Sequence, residues 1–300
     1  MNNYSFTSSD GHTKVYTRFF PIENIKGIIV LVHGLGDHID NYEDIASILK
    51  DEGYAIAGID LIGFGKSSDI YGYYEDRKNT YNYFTDDLKT YIDKLQEEYK
   101  DIPIYLLGFS FGSFITRLYI NKYDNVKGMI VIGSAFINPT YMNFCKFYAS
   151  CLAVGKGWND RNTLLYRKTI VKLNDRFEDK SIPSWLCSNI SFIRSRISDP
   201  YVSARLTTSG YYVLYDVINK CCKKKNVNAI NKNLPILILS GKDDPVTSFG
   251  KDVYLLDKRY KENNIMNVRF KIYNNMRHDL LHEVSRDIPV HDILEFLNNK

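Results

Sequence analysis

No stretch of this 300-residue chain approaches the run of about 18 apolar residues that a membrane-crossing helix needs. The opening residues, Met1 to Phe6, have no basic stretch leading into an apolar one, so the mark of a secretory leader is missing. The expected location is the cytoplasm, at most peripheral to the inner membrane face. Cysteine is scarce: Cys145, Cys151, Cys187, Cys221 and Cys222 are odd in number and lack metal-ligand spacing. That suits reduced thiols better than a disulfide framework, and the five read as small hydrophobes. The one glycine-rich turn that ends in Lys-Ser, Gly63 to Ser67, lacks the spacing of a phosphate loop and reads as a tight surface turn. Internal repeats and low-complexity tracts are also missing.

What remains is ordinary globular composition, 44% hydrophobic and 25% charged, in a length that suits one large α/β domain or two small ones. Runs rich in Ile, Val and Leu recur at Ile28 to Val32, Tyr54 to Ile59, Ile104 to Leu107, Met129 to Ile132 and Ile236 to Leu239, each followed by a glycine or acidic turn. Such runs predict parallel strands buried on both faces. Amphipathic stretches lie between them; Phe84, Leu88, Tyr91, Ile92, Leu95 and Tyr99 fall on one helical face. The alternation predicts a doubly wound, mostly parallel sheet with helices on both sides. Tyr4 to Thr7 and Lys14 to Phe20, around Asp10-Gly11, predict an antiparallel hairpin on one edge.

The rhythm breaks between 138 and 232, where short helical pieces follow one another without a clean strand. Roughly 95 residues is far beyond a connecting loop, so the expected organisation is a core of 1–137 and 233–300 with 138–232 inserted as a helical cap. The insertion holds 16 Lys and Arg against 6 Asp and Glu, a net +10, which leaves −6 for the rest of a chain whose total is +4. Both tryptophans, Trp158 and Trp185, fall inside it.

Within Ile104 to Ser113, a serine stands between two glycines at Gly108-Phe109-Ser110-Phe111-Gly112, after an apolar run and before a helical pattern. This is the G-x-S-x-G nucleophile elbow, a strained strand-to-helix turn that pushes a serine hydroxyl out of the sheet edge. A serine hydroxyl is a weak nucleophile, so the elbow calls for a histidine base, a carboxylate to orient it and amides to receive an oxyanion. In this architecture acid and base follow the serine in that order, each after a strand. Two carboxylates compete in the turn Gly241 to Val246, Asp243 and Asp244, and Asp244 is favoured because Pro245 restricts the backbone before it. His278 ends the loop that follows the strand Val268 to Tyr273. His33-Gly34-Leu35-Gly36 follows Val32; there the amides of Leu35 and Phe111 are the candidate oxyanion donors, and His33 is expected to fix the loop.

With His33 to His38, Asp60 to Ser67, the elbow, Gly241 to Val246 and Arg277 to Glu283 taken together, the chain resembles α/β-hydrolases of the monoacylglycerol lipase and lysophospholipase group, also grouped with serine aminopeptidases. The resemblance implies Ser110 as nucleophile, Asp244 as acid, His278 as base, Leu35 and Phe111 as oxyanion donors, and a cap over an acyl pocket. It covers nearly the whole chain, and Ser198-Asp199-Pro200-Tyr201 in the insertion is also similar to a family segment. The expected activity is hydrolysis of carboxylic esters with an apolar acyl chain, such as a monoacylglycerol or lysophospholipid, without metal or cofactor. A peptidase or thioester hydrolase on the same three residues, or a binding module on the same fold, is the alternative. His278 to His282 approximates the H-E-x-x-H zinc pattern, with Asp279 in place of the glutamate and Glu283 and His291 downstream, and is set aside on that substitution. A dehalogenase or epoxide hydrolase would need aspartate at position 110. The basic insertion, with Lys223, Lys224 and Lys225, could rest on an anionic membrane, whereas nucleic acid is not expected. Nothing in the sequence sets the oligomeric state.

Overall fold

The computed structural model describes residues 3–299. Eight strands form a single sheet: β1 (Ser5–Thr7), β2 (Lys14–Phe19), β3 (Gly27–Val32), β4 (Tyr54–Ile59), β5 (Ile104–Phe109), β6 (Gly128–Ile132), β7 (Ile236–Gly241) and β8 (Val268–Tyr273). Their spatial order is β1-β2-β4-β3-β5-β6-β7-β8. The hairpin is antiparallel, β2 also runs antiparallel to β4, and every later pairing is parallel. Asp10 closes the hairpin by accepting hydrogen bonds from the amides of His12 and Thr13, both at 2.9 Å.

The apolar runs behave as their period dictates. Ile28, Val30 and Val32 enter a core on one face while Ile29 and Leu31 enter a second core on the other, and all five are fully buried. Helices α2 (Thr80–Glu98) and α3 (Phe111–Lys122) cover the first face; α1 (Glu43–Asp51) and α10 (Asp287–Asn298) cover the second. On α2 the predicted stripe of Phe84, Leu88, Tyr91, Ile92 and Leu95 is buried, at roughly 1.5–3 kcal/mol for each large side chain removed from water. Helix α9 (Lys251–Lys261) precedes β8.

Between β6 and β7 the chain forms helices only: α4 (Pro139–Lys156), α5 (Thr163–Thr169), a short 3₁₀ turn (Val171–Asn174), α6 (Ile190–Ser198), α7 (Thr208–Cys221) and α8 (Lys224–Asn228). Side chains of Asn138, Asn162, Asn189 and Thr207 cap α4 to α7 by accepting first-turn amides, which marks where each helix starts. Helix α7 packs against α2 and α3 as well as α4, so it is shared between the insertion and the core layer. Among the described residues, no helix is long and apolar enough to cross a membrane.

The turn at Gly63–Ser67 corrects the sequence reading. It is buried apart from Lys66 rather than lying on the surface, because Asp60 accepts the Lys66 amide at 2.7 Å and folds the turn inward. Phe64 then sits edge-on to Phe111, with ring centroids 6.2 Å apart, behind the elbow.

Helix α3 meets β3 through Gly112, where an added Cβ would lie 2.0 Å from the Val32 carbonyl oxygen and 2.6 Å from that of His33. Helix propensity alone favours alanine over glycine by about 1 kcal/mol. At Gly112 the clash reverses that sign: Gly112→Ala is expected to destabilise the fold by roughly 3 kcal/mol or more, and Gly155→Ala, on α4 with nothing within 4 Å, to leave it unchanged or slightly more stable. Urea titration of the two variants measures both.

Candidate active site

The strand order brings the predicted residues to one edge of the sheet. Strand order reverses about β3, whose neighbours are β4 and β5, and such switch points leave a crevice beyond the strand ends. The loop after β3 and the turn after β5 are therefore adjacent. Ser110 occupies that turn in the left-handed region, with φ 51° and ψ −115°. Its amide donates to the Ile132 carbonyl at 2.9 Å, and α3 begins at the next residue. The Phe111 amide thus belongs to the first turn of a helix, where amides have no intrahelical acceptor and the dipole favours negative charge.

Asp244 and His278 follow the paired strands β7 and β8. His278 Nδ1 lies 2.9 Å from Asp244 Oδ2, both residues fully buried. Since a carboxylate only accepts, Nδ1 carries a proton, and in the neutral ring Nε2 is the acceptor. Among the described residues, Nε2 is buried without a hydrogen-bond partner. The other Asp244 oxygen accepts the Val246 amide at 2.8 Å. Asp243 is exposed, its amide tied to the Met276 carbonyl, and does not approach the ring.

Between the serine and the histidine runs β6, and Gly133 just beyond it makes room for the ring. A Cβ at Gly133 would fall 2.6 Å from His278 Cε1, and its φ of 63° also favours glycine. Phe109 and Trp185 flank the imidazole, with centroids 5.1 and 5.2 Å away. Leu35, Ser110, Phe111 and His278 all line one cavity of about 750 Å³. Most of its wall comes from the inserted helices and their connections, including Tyr141, Met142, Leu165, Trp185, Leu214 and Ile218.

The glycine-rich loop after β3 is held from both sides. The Leu61 amide donates to His33 Nε2 at 3.0 Å, so His33 Nδ1 carries the proton and donates to the Gly34 carbonyl at 2.9 Å; burial lowers the His33 pKa and keeps the ring neutral. From the insertion, the Arg196 guanidinium lies 2.7 Å from Asp37 and donates to the Gly36 carbonyl at 3.3 Å, and the Ser203 amide donates to that same carbonyl at 3.2 Å. His38 Nε2 meets Asp199 at 2.8 Å, which joins two of the segments that carried the resemblance. Burial alone would raise the Asp37 pKa, but the Arg196 charge, with hydrogen bonds from Asn41 and Tyr42, holds it well below the usual carboxylate range.

The loop bearing His278 is tied down in the same way. The Asp279 amide donates to the Leu186 carbonyl at 2.7 Å, and Arg277 donates to the carbonyls of Ser184 and Cys187 at 2.6 and 3.0 Å. The partners Gly133, Trp185 and Arg196 were not singled out for these roles in the sequence, because no local pattern marks a side chain as contacting a loop some 90 or 160 residues away.

The zinc pattern does not form. Residues 278–283 are turns rather than one helical face, and His282 Nδ1 is engaged by Asp279 at 2.8 Å while Nε2 meets the Asn41 carbonyl at 3.1 Å. Among the described residues, the side chains with metal-ligand proximity are His291, Asp292 and Glu295 on α10, away from Ser110; Asp292 already accepts from Lys271 and Tyr273.

The family model described as serine aminopeptidase, S33, matches residues 23–285. The chain belongs to this family of α/β-hydrolases. Over 98% of its length this S33 hydrolase is 25% identical to mouse (Mus musculus) monoglyceride lipase, of which the match covers 89%. Among solved structures it superposes on a thermostable carboxyl esterase from Bacillus coagulans with a TM-score of 0.86 at 23% identity, covering 99% of this chain and 97% of the other. A soluble variant of Saccharomyces cerevisiae monoglyceride lipase gives 0.75 at 19% identity, covering 99% and 94%. These likenesses agree with the mostly parallel sheet and its edge hairpin.

The helices between β6 and β7 are anchored to the core in part by a buried cation that responds to pH. Burial alone would depress the His282 pKa, but Asp279 and Asp44 carry it up to about 9, and the ring stacks on Phe192 of α6 at 3.8 Å. A pKa raised on folding contributes stability that is complete below the ordinary value of 6.5 and is lost as pH rises through about 9. Unfolding free energy is therefore expected to fall by up to roughly 3 kcal/mol across that window, and His282→Gln to flatten the decline. Urea denaturation at a series of pH values reads the difference.

Proposed function

We propose that this protein is a serine hydrolase of carboxylic esters with apolar acyl chains, monoacylglycerol or lysophospholipid-like, with 138–232 as the cap over its pocket. The supporting observation is the buried Asp244–His278 hydrogen bond, which engages Nδ1 and leaves Nε2 without a partner at the cavity that His278 and Ser110 both line. In this reading Nε2 takes the Ser110 proton as the hydroxyl attacks the ester carbonyl. Asp244 steadies the imidazolium, and the amides of Leu35 and Phe111 receive the oxyanion. The imidazolium returns its proton to the departing alkoxide, leaving the acyl group on Ser110. Water, deprotonated at Nε2, then releases the carboxylic acid and restores the serine.

The membership of the family, together with lipase and esterase relatives, supports an ester hydrolase as the enzyme class. Apolar side chains such as Phe114, Met142, Leu214 and Ile218 along the cavity suit an acyl chain. An aminopeptidase must receive a cationic amino terminus, and among the described residues no Asp or Glu lines this cavity. That charge balance favours the ester.

Contact with a membrane is a second element of the proposal, favoured by an exposed apolar stripe on α4. Tyr141, Phe144, Phe147 and Val154 are 53, 62, 66 and 90% exposed, and the first three also follow helical spacing.

Ser110→Ala is expected to abolish hydrolysis of a p-nitrophenyl ester and labelling by a fluorophosphonate while leaving the thermal unfolding transition in place. Retained turnover would overturn the assignment; a folded wild type that neither labels nor hydrolyses but binds a ligand would favour a binding module. For the membrane contact, Phe144→Glu/Phe147→Glu is expected to reduce co-sedimentation with anionic vesicles severalfold, and unchanged binding would remove that element.

A further inference from the structure

The insertion does more than wall the cavity, since its α6 grips both loops that carry the site. Phe192 and Arg196 stand one turn apart on that helix and so project from one face. Phe192 stacks on His282, in the loop that bears His278, with centroids 3.8 Å apart. Arg196 reaches the loop after β3, where its guanidinium lies 2.7 Å from Asp37 and donates to the Gly36 carbonyl at 3.3 Å. Its side chain is 11% exposed and that of Asp37 1%, so the pair is largely shielded from solvent. The chain beyond α6 returns to the same spot. The Ser203 amide donates to the Gly36 carbonyl at 3.2 Å, and a Cβ on Gly36 would fall 2.5 Å from the Ser203 carbonyl oxygen.

These contacts bear on the Leu35 amide through the backbone. The Gly34 carbonyl and the Leu35 N–H belong to one trans peptide, so they point in opposite directions. His33 donates to that carbonyl at 2.9 Å and sets the tilt of the plane from the core side. The place of residue 35 depends equally on the far side of the turn, at the Gly36 carbonyl. Among the described residues both donors to that carbonyl, Arg196 Nη2 and the Ser203 amide, come from the insertion. Gly36 has a φ of 72°, and a glycine there is free to rotate unless its carbonyl is held.

We infer that Arg196 is a positioning residue for the acyl transfer: with Ser203 it holds the Gly36 carbonyl and so keeps the Leu35 amide aimed at the oxyanion. The inference rests on Ser110 as nucleophile and on Leu35 as an oxyanion donor. The oxyanion site is then complete only with α6 and the segment after it seated on the core, which makes the insertion part of the catalytic apparatus as well as its cover. The effect is exerted where negative charge develops, so removing it lowers kcat rather than raising KM. A residue that served stability alone would alter neither constant once its variant is folded.

Arg196→Met alone would leave Asp37 buried and uncompensated, so the test variant is Arg196→Met/Asp37→Asn, which removes both charges. The probes are p-nitrophenyl butyrate and p-nitrophenyl octanoate, together with an alkyl trifluoromethyl ketone, whose adduct with Ser110 carries the oxyanion. In the folded double variant kcat is expected to fall at least about tenfold for both esters, because a misplacement of about an ångström can cost roughly a hundredfold. KM is expected to stay within about twofold, and the Ki of the ketone to rise as kcat falls. Arg196→Lys keeps the charge beside Asp37 but lacks the planar fork that spans two acceptors, so its kcat is expected to lie between those of the wild type and the double variant. It also decides the matter if the double variant does not fold. Wild-type kcat in the folded double variant, or in Arg196→Lys, overturns the inference. A rise in KM with kcat unchanged also overturns it, since Arg196 would then be a substrate contact. Both results leave the ester hydrolase intact. Hydrolysis by the wild type no faster than by Ser110→Ala overturns the nucleophile assignment and this inference with it.

Discussion

The site depends on how closely backbones approach one another beyond the ends of β3, β5 and β6. Gly112 lets the first turn of α3 touch the carbonyls that end β3, closer than any side chain would permit. Only then does Ser110, held at a positive φ by its amide bond to Ile132, stand beside Leu35. Gly133 plays the same part on the other side and gives the His278 ring its place. Both contacts are steric, so they tolerate no gradual compromise: interiors are packed too densely to absorb an extra methyl group at such distances.

A second layer of the structure is electrostatic and comes from the insertion. Arg196, Asp199 and Ser203 fix the loop after β3, while the carbonyls of Ser184, Leu186 and Cys187 fix the loop that bears His278. A buried pair such as Arg196–Asp37 adds little net stability when complete, because desolvation offsets attraction, yet losing one partner leaves an uncompensated buried charge that costs roughly 3–5 kcal/mol. Such pairs specify one arrangement rather than simply strengthening it. The helices that wall the cavity are thereby the same ones that hold its polar loops, and a shift of α6 would be felt at Gly36.

The sheet was largely legible in the sequence. Strands buried on both faces are continuous apolar runs, and β3 to β7 lie within one or two residues of those runs, while β8 falls on the separately predicted strand Val268 to Tyr273. The Asp10-Gly11 hairpin and the face of α2 were legible for the same reason, since period and turn chemistry are local. Asp244 was preferred to Asp243 from the proline that follows it, and in the fold Asp244 meets the imidazole while Asp243 faces solvent. The Gly63–Ser67 turn was misread as surface because glycine-rich turns usually are; its burial comes from the Asp60 carboxylate and from Phe64 packing against Phe111, neither of which is a local signal. The lysine triplet, conspicuous as a run, does not line the cavity, whereas the lysines that do are scattered singly along the sequence.

By itself the sequence determined the order of strands and helices, the serine elbow with its carboxylate and histidine in sequence order, and the excess of positive charge between β6 and β7. Those features are set by neighbours along the chain: hydrophobic period, glycine and proline backbone limits, and composition. Tertiary structure alone decided which loops the insertion holds, where His278 has room, and which of its sixteen basic residues gather at one cavity. Each of those depends on distances between residues far apart in sequence, and such distances exist only once the chain has packed.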